Sequence, residues 1–158
     1  MKEYEIRQIT DPEDPVLNEI SRWICDWWEE TEEYEKERMH AYYSHSVFSD
    51  RLPQTYAAFE GGEAVGTFQL GMGDTFVRPD LYPWLKHVYV VPEHRNQGCA
   101  SAMMEYASKK ISSMEYDNFY LFTHLEDFYE RFGWEFIELF ESYDPDLGIQ
   151  RMYTFKTK

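Results

Sequence analysis

The chain has 158 residues, enough for one domain with a substantial core, and its 43% hydrophobic and 18% aromatic content excludes a disordered chain. Thirty acidic against 15 basic side chains give a formal net charge of −15, which argues against a nucleic-acid partner, since phosphate contacts need basic surface, and favours a cationic one. No stretch approaches the roughly eighteen apolar residues of a membrane span, residues 1–5 carry no apolar leader core, and Cys25 and Cys99 form neither a disulfide scaffold nor a CxxC knuckle; the expectation is a soluble cytoplasmic protein with no membrane partner.

Residues 3–10 alternate polar and apolar and read as a strand. Asp11 to Pro15 breaks it and opens a helix whose Ile20, Trp23, Ile24, Trp27 and Trp28 share one face at spacings of three and four, the pattern of core packing. Thr31 then serves as an N-cap for a second helix over about 32–46. Residues 55–59 and 64–70 form a hairpin about the turn at Glu60-Gly61-Gly62-Glu63, and 71–83 is loop. Residues 84–91 make the next strand, stopped by Pro92, and a helix follows over about 98–112 with Ala102, Met103, Tyr106 and Ala107 on one side. A short buried strand (119–122), a short helix (125–132) closed by Gly133, a strand (134–140) and a final strand (151–155) complete the chain. The order β-α-α-β-β-β-α-β-α-β-β predicts a single α/β domain over 1–158 with a mixed sheet.

The segment from Val88 to Ala102 carries the chemistry. A strand enters a polar loop, and a helix starts at the loop's glycine and small residues. The free N–H groups and partial positive charge of a helix's first turn favour anions. Gly98 and Ala100 remove bulk, and Arg95 adds a fixed charge suited to bidentate contact with phosphate. A Walker loop is excluded by the lack of Gly-Lys-Ser/Thr, and a dinucleotide fingerprint by the single glycine. Taken alone, this segment is equally an ordinary structural loop.

The spacing Arg-x-x-Gly-x-Ala from Arg95 to Ala100, preceded by Val88-Tyr89-Val90-Val91-Pro92-Glu93, resembles the acetyl-CoA motif of the GCN5-related N-acetyltransferases. Phe128-Tyr129-Glu130-Arg131-Phe132-Gly133-Trp134 resembles the same family's Phe-Tyr-x-x-x-Gly-aromatic signature, and the order of elements matches end to end. The resemblance implies an acetyl-CoA-dependent N-acetyltransferase without a metal, acting on a small-molecule or peptide amine; many relatives are homodimers. It further implies a bulged strand, splayed from its neighbour, whose Val88, Tyr89 and Val90 bond the pantetheine through backbone groups. Arg95, Asn96, Gln97, Gly98, Cys99, Ala100 and Ser101 would hold the pyrophosphate, and Tyr129 would protonate the departing thiolate.

Where relatives place a carboxylate base, this chain has Lys86-His87, which makes His87 the candidate base or else a structural histidine. Help is needed there, because an alkylamine is only about 0.04% neutral at pH 7. Where relatives place an asparagine, this chain has Thr123-His124, so that either Thr123 substitutes on the pantetheine or that contact is lost. Cys99, although near a helix start, is expected to pack rather than to react, and His40, His45 and His87 lack a metal-ligand spacing. Residues 78–85 would wall the acceptor side, and the acidic run from Glu29 to Glu37 would border it, as a solvated face or as an attractor of cations. The alternative reading is a non-catalytic acyl-CoA-binding module on the same fold.

Overall fold

The computed structural model describes residues 2–142 and 144–158. It contains strands β1 (Glu5–Ile9), β2 (Gln54–Glu60), β3 (Glu63–Gly71), β4 (Trp84–Val90), β5 (Asn118–Thr123), β6 (Glu135–Glu141) and β7 (Ile149–Lys156). The helices are α1 (Val16–Trp27), α2 (Glu33–Ser44) and α3 (Cys99–Ser112). Hydrogen-bonded strand order is β1-β2-β3-β4-β5-β7-β6, a mixed seven-stranded sheet. The chain gathers into two compact units, each made of two separate stretches: residues up to Leu70 with His87–Met103, and Gly71–Lys86 with Met104–Lys158.

In the first unit, β1, β2 and β3 pair antiparallel. The β2–β3 turn uses Gly61 and Gly62 at φ +58° and +88°, the left-handed pair that a tight hairpin demands. Tyr56 lies opposite Phe68 across the hairpin, and their rings stack with centroids 4.7 Å apart. Leu17, Ile20 and Ile24 of α1 are fully buried against Met39 and Tyr43 of α2, Ile9, and Ala57 and Phe59 of β2. Each such aliphatic side chain contributes about 1.5–3 kcal/mol by leaving water. The predicted face of α1 therefore holds for Ile20, Trp23 and Ile24, but Trp27 and Trp28 are 50% and 45% exposed rather than packed in the core. The cap of α2 also differs: Glu32, not Thr31, takes the position, and it exchanges hydrogen bonds with Glu35 in a capping box.

In the second unit β5, β7 and β6 pair antiparallel, while the start of β4 pairs parallel to β5 at Trp84↔Tyr120. Met104, Ala107 and Ile111 bury the later turns of α3, and Ser108 Oγ donates to the Phe132 carbonyl at 3.1 Å. The short helix expected over 125–132 is one 3-10 turn, Tyr129–Phe132, closed as predicted by left-handed Gly133. Asp127 at φ +59° interrupts any earlier helix, because a left-handed residue cannot continue a right-handed ladder.

Candidate active site

The polar loop and the α3 mouth lie in the first unit. Pro92–His94 forms a 3-10 turn. Asn96 at φ +58° and Gly98 at φ +88° then turn the backbone into α3. A Cβ on Gly98 would meet open space, so the glycine is required by its left-handed backbone rather than by crowding. The Ala102 N–H donates to the Gly98 carbonyl at 3.0 Å, which places the Cys99, Ala100 and Ser101 N–H groups in the first turn, where a helix offers donors to an anion.

Several contacts brace this loop. Arg95 Nε donates to the Val90 carbonyl at 2.8 Å, and its guanidinium carbon sits 5.4 Å from the Tyr89 ring centroid. Gln97 Nε2 donates to the Glu93 carbonyl, and the Gln97 carbonyl accepts from Tyr4. In a chain of net charge −15, residues 95–102 contain no carboxylate. Glu60, whose field reaches Cys99, is held at 2.8 Å by Lys2, and His94 Nδ1 lies 2.6 Å away at ion-pair distance without hydrogen-bond alignment. Lys2 foremost, with His94 beside it, holds the Glu60 carboxyl below its ordinary range against the opposing effect of burial. These residues fit an anionic group such as a pyrophosphate. Cys99 itself is buried, and burial, then Glu60, pushes its thiol up to about 11, which keeps it protonated and suits packing.

Gly66 on β3 was not singled out by the sequence. A Cβ there would stand 3.0 Å from the Tyr89 carbonyl oxygen, 3.2 Å from Cys99 Sγ and 3.3 Å from Met103 Cε. Only glycine lets β4 and the start of α3 approach β3 this closely.

His87 lies within β4 at φ +53°, the left-handed region. For a residue with a Cβ this costs about 1–2 kcal/mol, which its surroundings must offset. Its Nδ1 is 2.5 Å from the hydroxyl of fully buried Tyr43. Trp28 packs edge-on against the imidazole at 5.1 Å, and Tyr42 lies 5.8 Å away. Tyr42 donates to Gln69 Oε1 at 2.5 Å, while Gln69 Nε2 is buried with no hydrogen-bond partner among the described residues. Val88, Tyr89 and Val90 are half-buried, and the Tyr89 ring rests on Trp23 and Trp27.

In the second unit, Tyr129 is buried at the start of the 3-10 turn, edge-to-face with Phe128 at 5.0 Å. Burial alone pushes its phenol above the ordinary tyrosine value, so it stays protonated at neutral pH. The turn is fastened by Tyr153, whose hydroxyl donates to Glu130 Oε1 at 2.7 Å and accepts from Arg151 Nε at 3.0 Å. Thr123 Oγ1 accepts the Leu125 N–H at 3.1 Å, so its oxygen shapes the loop after β5.

Within the predicted acceptor wall, Arg78 bridges Asp80 at 2.9 Å and Glu138 at 2.5 Å, and Tyr82 is exposed. Asp74 was also missed by the sequence reading: loss of hydration pushes its half-buried carboxyl up to about 6, against the pull of Lys86. Lys86 Nζ donates to the neighbouring Gly73 carbonyl at 2.7 Å. No signal short of the folded chain marks that carboxyl among thirty acidic residues. Among the described residues no group of three His, Cys, Asp or Glu could hold a metal ion, and no helix is long and apolar enough to cross a membrane.

The backbone resembles several solved acetyltransferases of low sequence identity. An aminoglycoside 6'-N-acetyltransferase complexed with coenzyme A is 16% identical with a TM-score of 0.69, over 98% of this chain and 97% of that one. An N-acetyltransferase from Staphylococcus aureus Mu50 is 15% identical with a TM-score of 0.75, over 99% of both chains. A chimeric spermidine N-acetyltransferase from Vibrio cholerae and hSSAT is 15% identical with a TM-score of 0.71, over 98% and 95%. No curated protein matches the chain in sequence. The sequence does match the acetyltransferase (GNAT) family profile over residues 17–134, and with the helix-mouth loop and Tyr129 inside that span, the chain belongs to this family and is an acetyl-CoA-dependent N-acetyltransferase.

Proposed function

We propose that the protein, as a single N-acetyltransferase domain over residues 1–158, transfers the acetyl group of acetyl-CoA to a primary amine of a cationic acceptor. The amine lone pair attacks the thioester carbonyl carbon directly and the C–S bond breaks. His87 takes the proton lost by the nitrogen, and the thiolate takes the Tyr129 phenolic proton. Coenzyme A would be held at the α3 mouth by the backbone of residues 95–101, with Val88, Tyr89, Val90 and Thr123 along the pantetheine. The observation that carries this reading is the left-handed Asn96 and Gly98 backbone opening a 14-residue helix, with no carboxylate in residues 95–102.

Burial supports the assignment of Tyr129, since a donor must be protonated when the bond breaks. Three features support a cationic acceptor: the net charge, the half-exposed Trp27 and Trp28 beside β4 aromatics, and neighbours of the same fold that act on aminoglycosides and spermidine. A cytoplasmic setting accords with two free cysteines.

Free coenzyme A release, measured with acetyl-CoA and a panel of polyamines, aminoglycosides, amino acids and peptides, tests the reading. Amine-dependent release is expected, falling roughly a hundredfold in Tyr129→Phe with acetyl-CoA affinity unchanged. Silence across the panel despite acetyl-CoA binding would favour a binding module instead. Full turnover by Tyr129→Phe with chemistry rate-limiting would remove the assigned acid.

A further inference from the structure

His87 is the one histidine that departs from right-handed backbone, and it does so inside a strand. Backbone strain persists only where neighbouring contacts impose it. A contact to the ring's Nδ1 comes from α2: the Tyr43 hydroxyl 2.5 Å away. Tyr43 is fully buried, in the core that joins α1 and α2, so its oxygen has a fixed position. Trp28, at the end of α1, closes on the imidazole edge-on at 5.1 Å, and Tyr42 lies 5.8 Å away. Two helices thus hold one strained imidazole.

We propose that Tyr43 is the positioning residue of the acetyl-transfer site: its oxygen accepts the His87 Nδ1–H and so keeps the lone pair on Nε2, the nitrogen that receives the acceptor's proton. This inference rests on the reading of His87 as the base. Both imidazole nitrogens carry protons once Nε2 is protonated, so Nδ1–H must then point at an acceptor. Tyr43 supplies that acceptor before and after the transfer, and the ring need not reorient during the reaction. The opposite arrangement, with the phenol donating to Nδ1, would leave the proton on Nε2 and require both groups to reorganise in each turnover. The hydroxyl proton of Tyr43 must be donated elsewhere, and only its role as acceptor toward Nδ1 is assigned.

Nitrogen-15 NMR of the histidine-labelled protein, with His87 assigned by its loss in His87→Gln, reads the tautomer directly and needs no Tyr43 variant. The expected spectrum has a protonated Nδ1 and an unprotonated Nε2 in neutral His87. An Nε2–H tautomer in the wild-type protein overturns the proposal. Tyr43→Phe is expected to shift His87 toward Nε2–H and to lower kcat about tenfold or more, with KM for acetyl-CoA and the urea midpoint little changed. A Tyr43→Phe enzyme with unchanged tautomer and turnover, beside a crippled His87→Gln enzyme, overturns the role of Tyr43 alone. Full turnover by His87→Gln removes the base reading itself, whatever Tyr43 does.

Discussion

Burial raises the pKa of Tyr129, Cys99 and Asp74, and the consequence differs with the charge each would carry. Tyr129 and Cys99 are neutral acids at pH 7, so raising their pKa only keeps them neutral. Asp74 is different, because its value of about 6 lies between the unfolded carboxylate and neutral pH. From about pH 4 to pH 6 the native state holds a proton that the unfolded chain has released, so this group makes stability fall as pH rises through that window. Above pH 6 the full penalty of a poorly hydrated carboxylate is present. Asp74→Asn keeps the shape without the charge, and is expected to match wild type near pH 4 but to be more stable by about 1–2 kcal/mol at pH 7.5, allowing for partial hydration. Urea midpoints of both proteins at pH 4.5 and 7.5 check this: a difference independent of pH would mean that the carboxyl is hydrated as usual. A native protein that tolerates such a cost commonly does so for function, and Asp74 flanks the Gly73 carbonyl that Lys86 holds.

Between elements, β4 and α3 approach β3 closely at Gly66. Gly66→Ala would put a Cβ 3.0 Å from a backbone oxygen that cannot rotate away, so the strand must shift. Overpacking of this kind costs about 1–3 kcal/mol, a fall in Tm of roughly 3–8 °C at this chain length. Gly73→Ala is the control, since nothing lies within 4 Å of its Cβ position, and it should leave Tm nearly unchanged. Equal melting temperatures for the two variants would show that β3 and α3 can slide apart freely. Neither glycine is distinguishable in the sequence, because the close approach at Gly66 joins residues more than twenty positions apart. Alternation in β1 and the spacing of Ile20 and Ile24 were legible, since period reports which face is apolar. Trp27 and Trp28 kept the helical spacing yet lie at the helix end, beside β4 rings that periodicity cannot reveal. The 3-10 turn at Tyr129 was read as a longer helix because a single left-handed Asp127 leaves no mark on composition. The turn into α3 was legible through Gly98, whose place just before the helix survives in one dimension. The left-handed His87 and its tie to Tyr43, 44 residues away, were not.

Across the molecule, charge is the dominant feature. Of the 15 basic residues, Lys2, Arg7, Arg38, Arg78, Arg151, Lys156 and Lys158 already meet carboxylates at 4 Å or less, and thirty acidic residues remain only partly balanced. Such exposed pairs add little stability, but the surplus acid sets a field that draws cations and repels anions. The two proposed substrates should therefore answer salt in opposite senses. Screening shortens the field to about 8–10 Å at physiological ionic strength, so KM for a tri- or tetra-amine should rise several-fold between 20 and 300 mM NaCl, roughly in proportion to its charge. For acetyl-CoA, an anion entering a negatively charged protein, KM should fall or stay level, because salt relieves long-range repulsion while weakening only the contacts at the α3 mouth. Chemistry after binding involves no net approach of charge from solution, so kcat should hold. Steady-state kinetics with each substrate varied at three salt concentrations, with a neutral-pH monoamine beside the polyamine, separates these terms. A polyamine KM indifferent to salt would mean that the acidic surface is a solubility device and that the acceptor is recognised by short-range contacts alone.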